Sequence, residues 1–298
     1  MAALRLPREG RQLGLLLAAT GMFLVSTDSL FIRIADTDGW TIAFMSSLWS
    51  TPVTWGIAAR SLGRSLPDRF NSHRGPLLAS SLLGSISMTA FVTAVTKTEV
   101  ANVVAIIAAA PIFAAVIARI ALGEKAAPRT WRAIAVTILG ILVIVGGSLS
   151  GDGLSGNLLA LFAICCFGAN LSIWRRSPDL SRILLVALTA TFTMLVTAVP
   201  ATPSSLDRNA LLATLAMGSL FGPGARFCMS TATRYAPPAE VSLFTPVETV
   251  CATAWVWLWF DEVPPTATFF GAAIVLAAVI YGVTGPAAAV TPPPTAHT

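Results

Sequence analysis

Apolar positions run along this chain in long blocks, without the strict alternation of a half-buried strand. The blocks cover residues 13–34, 40–59, 76–95, 100–122, 132–149, 156–174, 183–199, 209–233, 241–260 and 268–284, with short polar segments between them. Each is close to the roughly 20 residues that a helix needs to cross a hydrocarbon core. The pattern predicts an all-α integral membrane protein of ten transmembrane helices, one domain over residues 1–298. It excludes a membrane β-barrel, whose strands alternate apolar and polar positions. Arg5, Arg8 and Arg11 precede the first block as they would precede a signal peptide's apolar stretch. The block is too long for that, and no Ala-x-Ala site closes it, so it reads as an uncleaved first helix. Residues 285–298 are rich in Pro and Ala, hold no Asp, Glu, Lys or Arg, and read as a disordered tail.

Composition agrees with this picture. Hydrophobic residues make up 55% of the chain and charged residues 11%, against about 25% charge in a soluble domain. So few charges do not cover a water-facing surface. The net charge of +5 raises the question of nucleic acid. The positive charge is scattered over short loops, however, and membrane topology accounts for it. With the N-terminus inside, fourteen Lys and Arg residues fall on inner segments, including Arg60, Arg64, Arg69, Arg74, Lys125, Arg129 and Arg132. Three, Arg33, Lys97 and Arg208, fall on outer ones. That bias predicts an inner-membrane protein with both termini cytoplasmic. Cys165, Cys166, Cys228 and Cys251 lie inside apolar blocks, without the spacing of a metal site or a disulfide framework. No metal, cofactor or nucleic-acid partner is expected.

The chain also repeats itself. An offset of 138 pairs Glu124 with Glu262, Trp131 with Phe269, Ala133 with Gly271, and Gly140 with Ala278. Each segment is an apolar helix, an acidic link, then a helix of small residues. The halves are 13–149 and 156–284. Five helices is an odd number, so a tandem five-helix unit enters the membrane from opposite sides. This is the inverted repeat of secondary transporters.

The stretches Ala108 to Glu124 and Val247 to Glu262 carry a resemblance. They resemble the fourth and ninth helices of the drug/metabolite transporter superfamily, in its ten-helix EamA-type branch. There, each of these helices has a proline near its middle and ends in a Leu-Gly-Glu-like turn. The first copy matches through Pro111, Gly123 and Glu124. In the second, Asp261 replaces the glycine, Thr249 stands at the proline position, and Pro246 lies three residues earlier. The resemblance implies two inverted five-helix repeats around a central cavity and alternating access. It implies export of a small metabolite, with bacterial amino-acid exporters, including the aromatic type, as the relatives of choice. Drug or lipophilic-cation export on the same fold is the alternative.

Candidate chemistry sits where charge enters an apolar block, which costs about 2.5–3.5 kcal/mol at a helix centre. Asp28 lies in the first block, Arg226 in the eighth and Glu248 in the ninth. Arg226 and Glu248 are expected to pair or to share a cavity, clamping a zwitterion with Arg226 on the carboxylate and Glu248 on the ammonium. Asn102, Asn170 and Thr245 are further polar candidates. Trp49, Phe91 and Phe244 are deep enough to line a pocket for a side chain. Gly222, Pro223 and Gly224 predict a break just before Arg226, because proline lacks a donor and glycine loosens a helix. Pro111 and Pro246 are the other candidate hinges. An integral membrane enzyme on a lipid-linked substrate would need a polar cluster at the inner interface, and only the Arg60–Arg74 loop offers one. No G-x-x-x-x-G-K-[ST], His-Glu-x-x-His or Gly-x-Ser-x-Gly is present, which removes the usual parts for ATP hydrolysis or intramembrane hydrolysis. His73 and His297 both lie outside the blocks, so a histidine relay is not expected.

Overall fold

A computed structural model describes residues 8–110, 112, 113, 116, 117, 128–147, 153–177, 179–235 and 244–283. The described residues form helices joined by short links, with no strand among them. In chain order they are α1 Arg8–Ala35, α2 Gly39–Leu62, α3 Leu66–Ser72, α4 Arg74–Lys97, α5 Val100–Ile107 and α6 Pro128–Gly147. Then follow α7 Leu154–Arg176, α8 Arg182–Thr197, α9 Arg208–Ala216, α10 Gly222–Tyr235, α11 Thr245–Phe260 and α12 Thr266–Val283. Three stretches, Gln12–Ala35, Arg74–Lys97 and Arg208–Met229, are long and apolar enough to cross a membrane by length and composition. Leu154–Asn170, Arg182–Thr197 and Thr266–Ala278 are among the shorter apolar helices.

Local chemistry sets the ends. Asp38 accepts the N–H of Thr41 at 2.9 Å and opens α2, and Asp207 accepts that of Ala210 at 2.7 Å and opens α9. Both are side-chain caps on otherwise unpaired amides. Asp261 ends α11 with a φ of 54°. That left-handed turn is the one a glycine favours and an aspartate tolerates. Asp261, at the glycine position of the Leu-Gly-Glu-like pattern, thus adopts the backbone that a glycine favours.

Three elements differ from the expected blocks. The arginine-rich loop holds the short helix α3, with Pro67 in its first turn. The fourth block breaks after Ile107: Ala108 and Ala109 form a turn, and the N–H groups of Ile112 and Phe113 both reach the Ala109 carbonyl, at 2.9 and 3.3 Å. A proline at position 111 has no N–H to give the carbonyl four residues back, that of Ile107, where the regular helix ends. Pro111 itself, Glu124 and the 285–298 tail lie outside the described residues. Within the described part of the ninth block, residues 244–260, α11 starts at Thr245, so Pro246 stands in its first turn, where the missing N–H costs nothing.

Packing is helix on helix, and the main apolar core includes Ile32, Ile42, Val92, Val103, Ile106 and Ile144. α4 packs on α7 and α8, α1 on α10 and α11, α2 on α8, and α6 on α12. The α6–α12 pair is antiparallel. Arg129 at the start of α6 donates to the Tyr281 carbonyl near the end of α12 at 2.6 Å and lies over its ring at 4.2 Å. Further along, a Cβ on Gly140 would stand 3.0 Å from the Gly271 carbonyl, and one on Gly271 2.8 Å from the Gly140 carbonyl. The two backbones meet where neither carries a side chain.

A charged knot ties one end of the bundle. Arg33, near the end of α1, donates to the Thr98 carbonyl at 2.8 Å and to Glu262 at 3.2 Å. The same Glu262 oxygen accepts the Val100 N–H at 3.2 Å and so caps α5 from the link before α12. Glu99 is beside them. Its burial, then the nearby Glu262, push its carboxyl above the usual range, and Arg33 pulls it back in part. A carboxyl raised in the folded state stabilises the fold in acid, and that contribution is lost as pH rises through its folded pKa. Glu99→Gln is therefore expected to raise the thermal midpoint of the purified protein at neutral pH and to leave it nearly unchanged in acid. An equal shift at both pH values would contradict this assignment.

Candidate functional site

The site begins with Pro223. Lacking an N–H, it strips the expected helical donor from the carbonyl four residues back. The chain answers by widening into a π turn over Met217–Phe221, between α9 and α10, and the Gly222 N–H reaches back five residues to the Met217 carbonyl. Single π turns inside helices recur at functional sites. The helix continues through the turn instead of breaking, so the expected helix end with free amides before Arg226 does not form. Gly218 presses the turn against α2: a Cβ there would overlap the Ser46 carbonyl. Arg226 follows one helical turn after Gly222. Its Nη2 donates to the Met88 sulfur at 3.2 Å, a weak acceptor for a guanidinium.

Asp28 of α1 faces it. The residue is 5% exposed, and its Oδ1 has no hydrogen-bond partner among the described residues. Asp28 and Arg226 line one narrow cavity together with Ser46, Ser47, Ser50, Met88, Thr193 and Met217. Their opposite charges act on each other. Among the described residues, however, the ion pair within 4.0 Å is Arg33–Glu262, not Asp28–Arg226. Two opposite charges, Asp28 buried and Arg226 half-buried, that face one cavity without closing on each other leave both able to bind a third group.

Glu248 is buried in the first turn of α11 and feels Asp28 as a like charge. It is not among the cavity's lining residues. Instead of the expected pairing with Glu248, Arg226 has Asp28 as its charge partner. The reason is helix placement. α11 lies against α1, where the Trp255 indole donates to Ser26 at 3.0 Å and stacks edge-on to Phe23 at 5.8 Å.

The remaining expected residues are held elsewhere. Asn102 accepts from the Thr268 hydroxyl and donates to Thr98 at 3.5 Å, joining α5 to α12. Asn170 accepts from the Ser80 hydroxyl, which in turn accepts from Trp174 at 2.7 Å, joining α4 to α7. Phe91 packs on the main core, and Phe244 packs on a small cluster around Ala18 and Ala232. Trp49 is half-buried on α2, and its indole N–H has no partner among the described residues. None of these five lines the cavity. The Thr245 side chain lies outside the described residues. Gly222 does line the cavity, and Pro223 and Gly224 follow it directly. Sequence reading passed over Ser46, Ser47, Ser50 and Thr193. Ser46 and Ser50 are four residues apart, hence on one helix face, and that spacing was the available signal. Met88 offered none.

The profile of the EamA-like transporter family matches this chain twice, over residues 12–146 and 154–284. The chain belongs to the EamA-like transporter family. It is accordingly a multi-pass, membrane-embedded transporter and not an enzyme. The riboflavin transporter of Rhizobium johnstonii is 24% identical to it over 211 residues, which is 68% of this chain and 68% of that protein. A solved crystal structure shares its fold with a TM-score of 0.61 and 15% identity, over 90% of this chain and 95% of its own.

Proposed function

We propose that this EamA-like transporter exports amino acids or similar small zwitterionic metabolites across the bacterial inner membrane by alternating access. The observation that carries the reading is the unpaired opposition of Asp28 and Arg226 across one cavity. Arg226 offers a guanidinium to a carboxylate, and Asp28 offers a carboxylate to an ammonium. This reassigns the ammonium from Glu248 to Asp28. A bare lipophilic cation gains nothing from Arg226, which counts against that cargo.

The two halves act as inverted repeats related by an in-plane twofold axis. The double family match supports this, and so does the packing. With helices numbered as blocks, a twofold maps the fifth onto the tenth and requires that pair to be antiparallel, as α6 and α12 are. The offset of 138 turns the contact of Gly140 with Gly271 into that of Ala133 with Ala278, and both alanines are buried. It also turns α4 on α7 into α10 on α1, and both packings are present. With both termini cytoplasmic, exchange of conformation between the halves moves the cavity's opening from one side to the other.

A second reading, riboflavin as cargo, rests on the relative from Rhizobium johnstonii. Counterflow separates the two. Proteoliposomes preloaded with a mixed amino-acid pool or with riboflavin are offered the labelled compound, without ATP or an imposed gradient. Accumulation of labelled amino acid is expected. Accumulation of riboflavin alone would replace the amino-acid reading.

A further inference from the structure

Resting on the alternating movement of the two halves proposed above, we infer that Arg33 is a two-position latch. Bound to Glu262 it ties the halves together at one end of the bundle, and turned to Glu99 it sets them free.

The three groups are divided between the halves. Arg33 lies near the end of α1 and Glu99 between α4 and α5, both in the first half, whereas Glu262 lies in the link before α12, in the second. The 3.2 Å bond from Arg33 to Glu262 therefore crosses from one half to the other. So does the 3.2 Å bond from the Val100 N–H to the same oxygen. A bond from Arg33 to Glu99 would stay within the first half. The groups for that second bond are present and unused. Arg33 Nε and Glu99 Oε2 are both shielded from solvent, and neither has a hydrogen-bond partner among the described residues. Arg33 attracts Glu99 while Glu262 repels it, so two carboxylates compete for one guanidinium. The planar fork of five donors suits such an exchange.

Release costs little at this place. The Arg33 and Glu262 side chains are 27% and 25% exposed, so water reaches them as they part. A pair of that kind biases an equilibrium by only about twofold to fivefold, enough to favour one position and too little to lock it. Arg33 stands five residues beyond Asp28 on α1, about 7.5 Å along the axis. Opening of the cavity toward that end carries the end of α1, and Arg33 with it, away from Glu262. With both termini cytoplasmic, that end is the outer one.

Two spin labels read the latch without any cargo. They are placed by Lys97→Cys, at the exposed end of α4 in the first half, and Val263→Cys, in the exposed link of the second. Cys165, Cys166, Cys228 and Cys251 are replaced by alanine in the same protein. Dipolar spectroscopy in proteoliposomes gives the ratio of long to short separations. Glu262→Gln keeps an acceptor for Val100 and removes the charge that holds Arg33. It is expected to raise the ratio about twofold to fivefold. Adding Glu99→Gln removes the second position, and the ratio should fall back by about the same factor. A pair that merely held the fold together would shift the thermal midpoint and leave the ratio unmoved. Should Glu262→Gln not fold, Glu262→Asp, which withdraws the carboxylate by one methylene, takes its place with the same expected sign. A ratio unmoved by the change at Glu262, or raised alike with and without Glu99, overturns the latch. That result leaves the transport reading to the counterflow assay above. Failure of counterflow beside a moved ratio strikes the cargo and leaves the latch.

Discussion

Arg226→Ala is expected to abolish counterflow. The guanidinium is the single cation on the described cavity wall, and a charge-assisted hydrogen bond to a substrate carboxylate contributes about 1.5–3 kcal/mol. Its loss costs transport about tenfold to a hundredfold by that term alone. A second effect adds to it. Removing Arg226 also leaves the buried Asp28 without its counter-charge, which lowers the stability of the fold. The two effects separate in the double variant Asp28→Asn/Arg226→Ala, where no isolated charge remains. That protein is expected to regain a monodisperse profile and a near-native thermal midpoint in detergent, yet to stay inactive. Arg226→Lys keeps the charge but not the planar fork, and should transport weakly. Normal counterflow in the folded double variant would show that Arg226 only balances Asp28 and holds no substrate.

Gly218→Ala should have the second-largest effect, although no charge is involved. The added Cβ overlaps the Ser46 carbonyl, which is backbone, so no side chain rotates out of the way. α2 and the π turn must separate. Overpacking of this kind costs about 1–3 kcal/mol, and here the movement also carries Gly222 and Arg226 away from Asp28. A lower thermal midpoint and a loss of counterflow are expected together. Gly56→Ala is the control: it lies on the same helix as Ser46, and a Cβ there meets nothing within 4 Å. It should change neither quantity. A Gly218→Ala protein as stable and active as Gly56→Ala would mean that the close approach of α2 to the π turn is not needed.

The parts of this arrangement that could be read from the chain are those with a large local cost. Asp28 and Arg226 stood out because a charge in an apolar block is expensive and is kept for a reason. Gly222, Pro223 and Gly224 marked an irregular helix because proline cannot donate, though nothing local says that the repair is a π turn instead of a break. Partners were harder to read. Arg226 and Glu248 are on successive blocks, and that neighbourhood in sequence pointed to a pair. In space, α1 packs on both α10 and α11, so Asp28 is the charge that both of them meet. Asn102 and Asn170 were equally ambiguous, since a buried amide serves a cavity or a helix–helix bridge, and here Thr268 and Ser80 claim them.

The central claim is that one cavity reads both ends of a zwitterion. Counterflow with an amino acid that the pool assay accepts and two of its analogues tests it most directly: the amide of the carboxyl group, which removes the negative charge, and the N-acetyl derivative, which removes the positive one. The parent amino acid should exchange, and each analogue should fail, with Arg226 losing its partner in the first and Asp28 in the second. Exchange of both analogues at the rate of the parent would contradict the account.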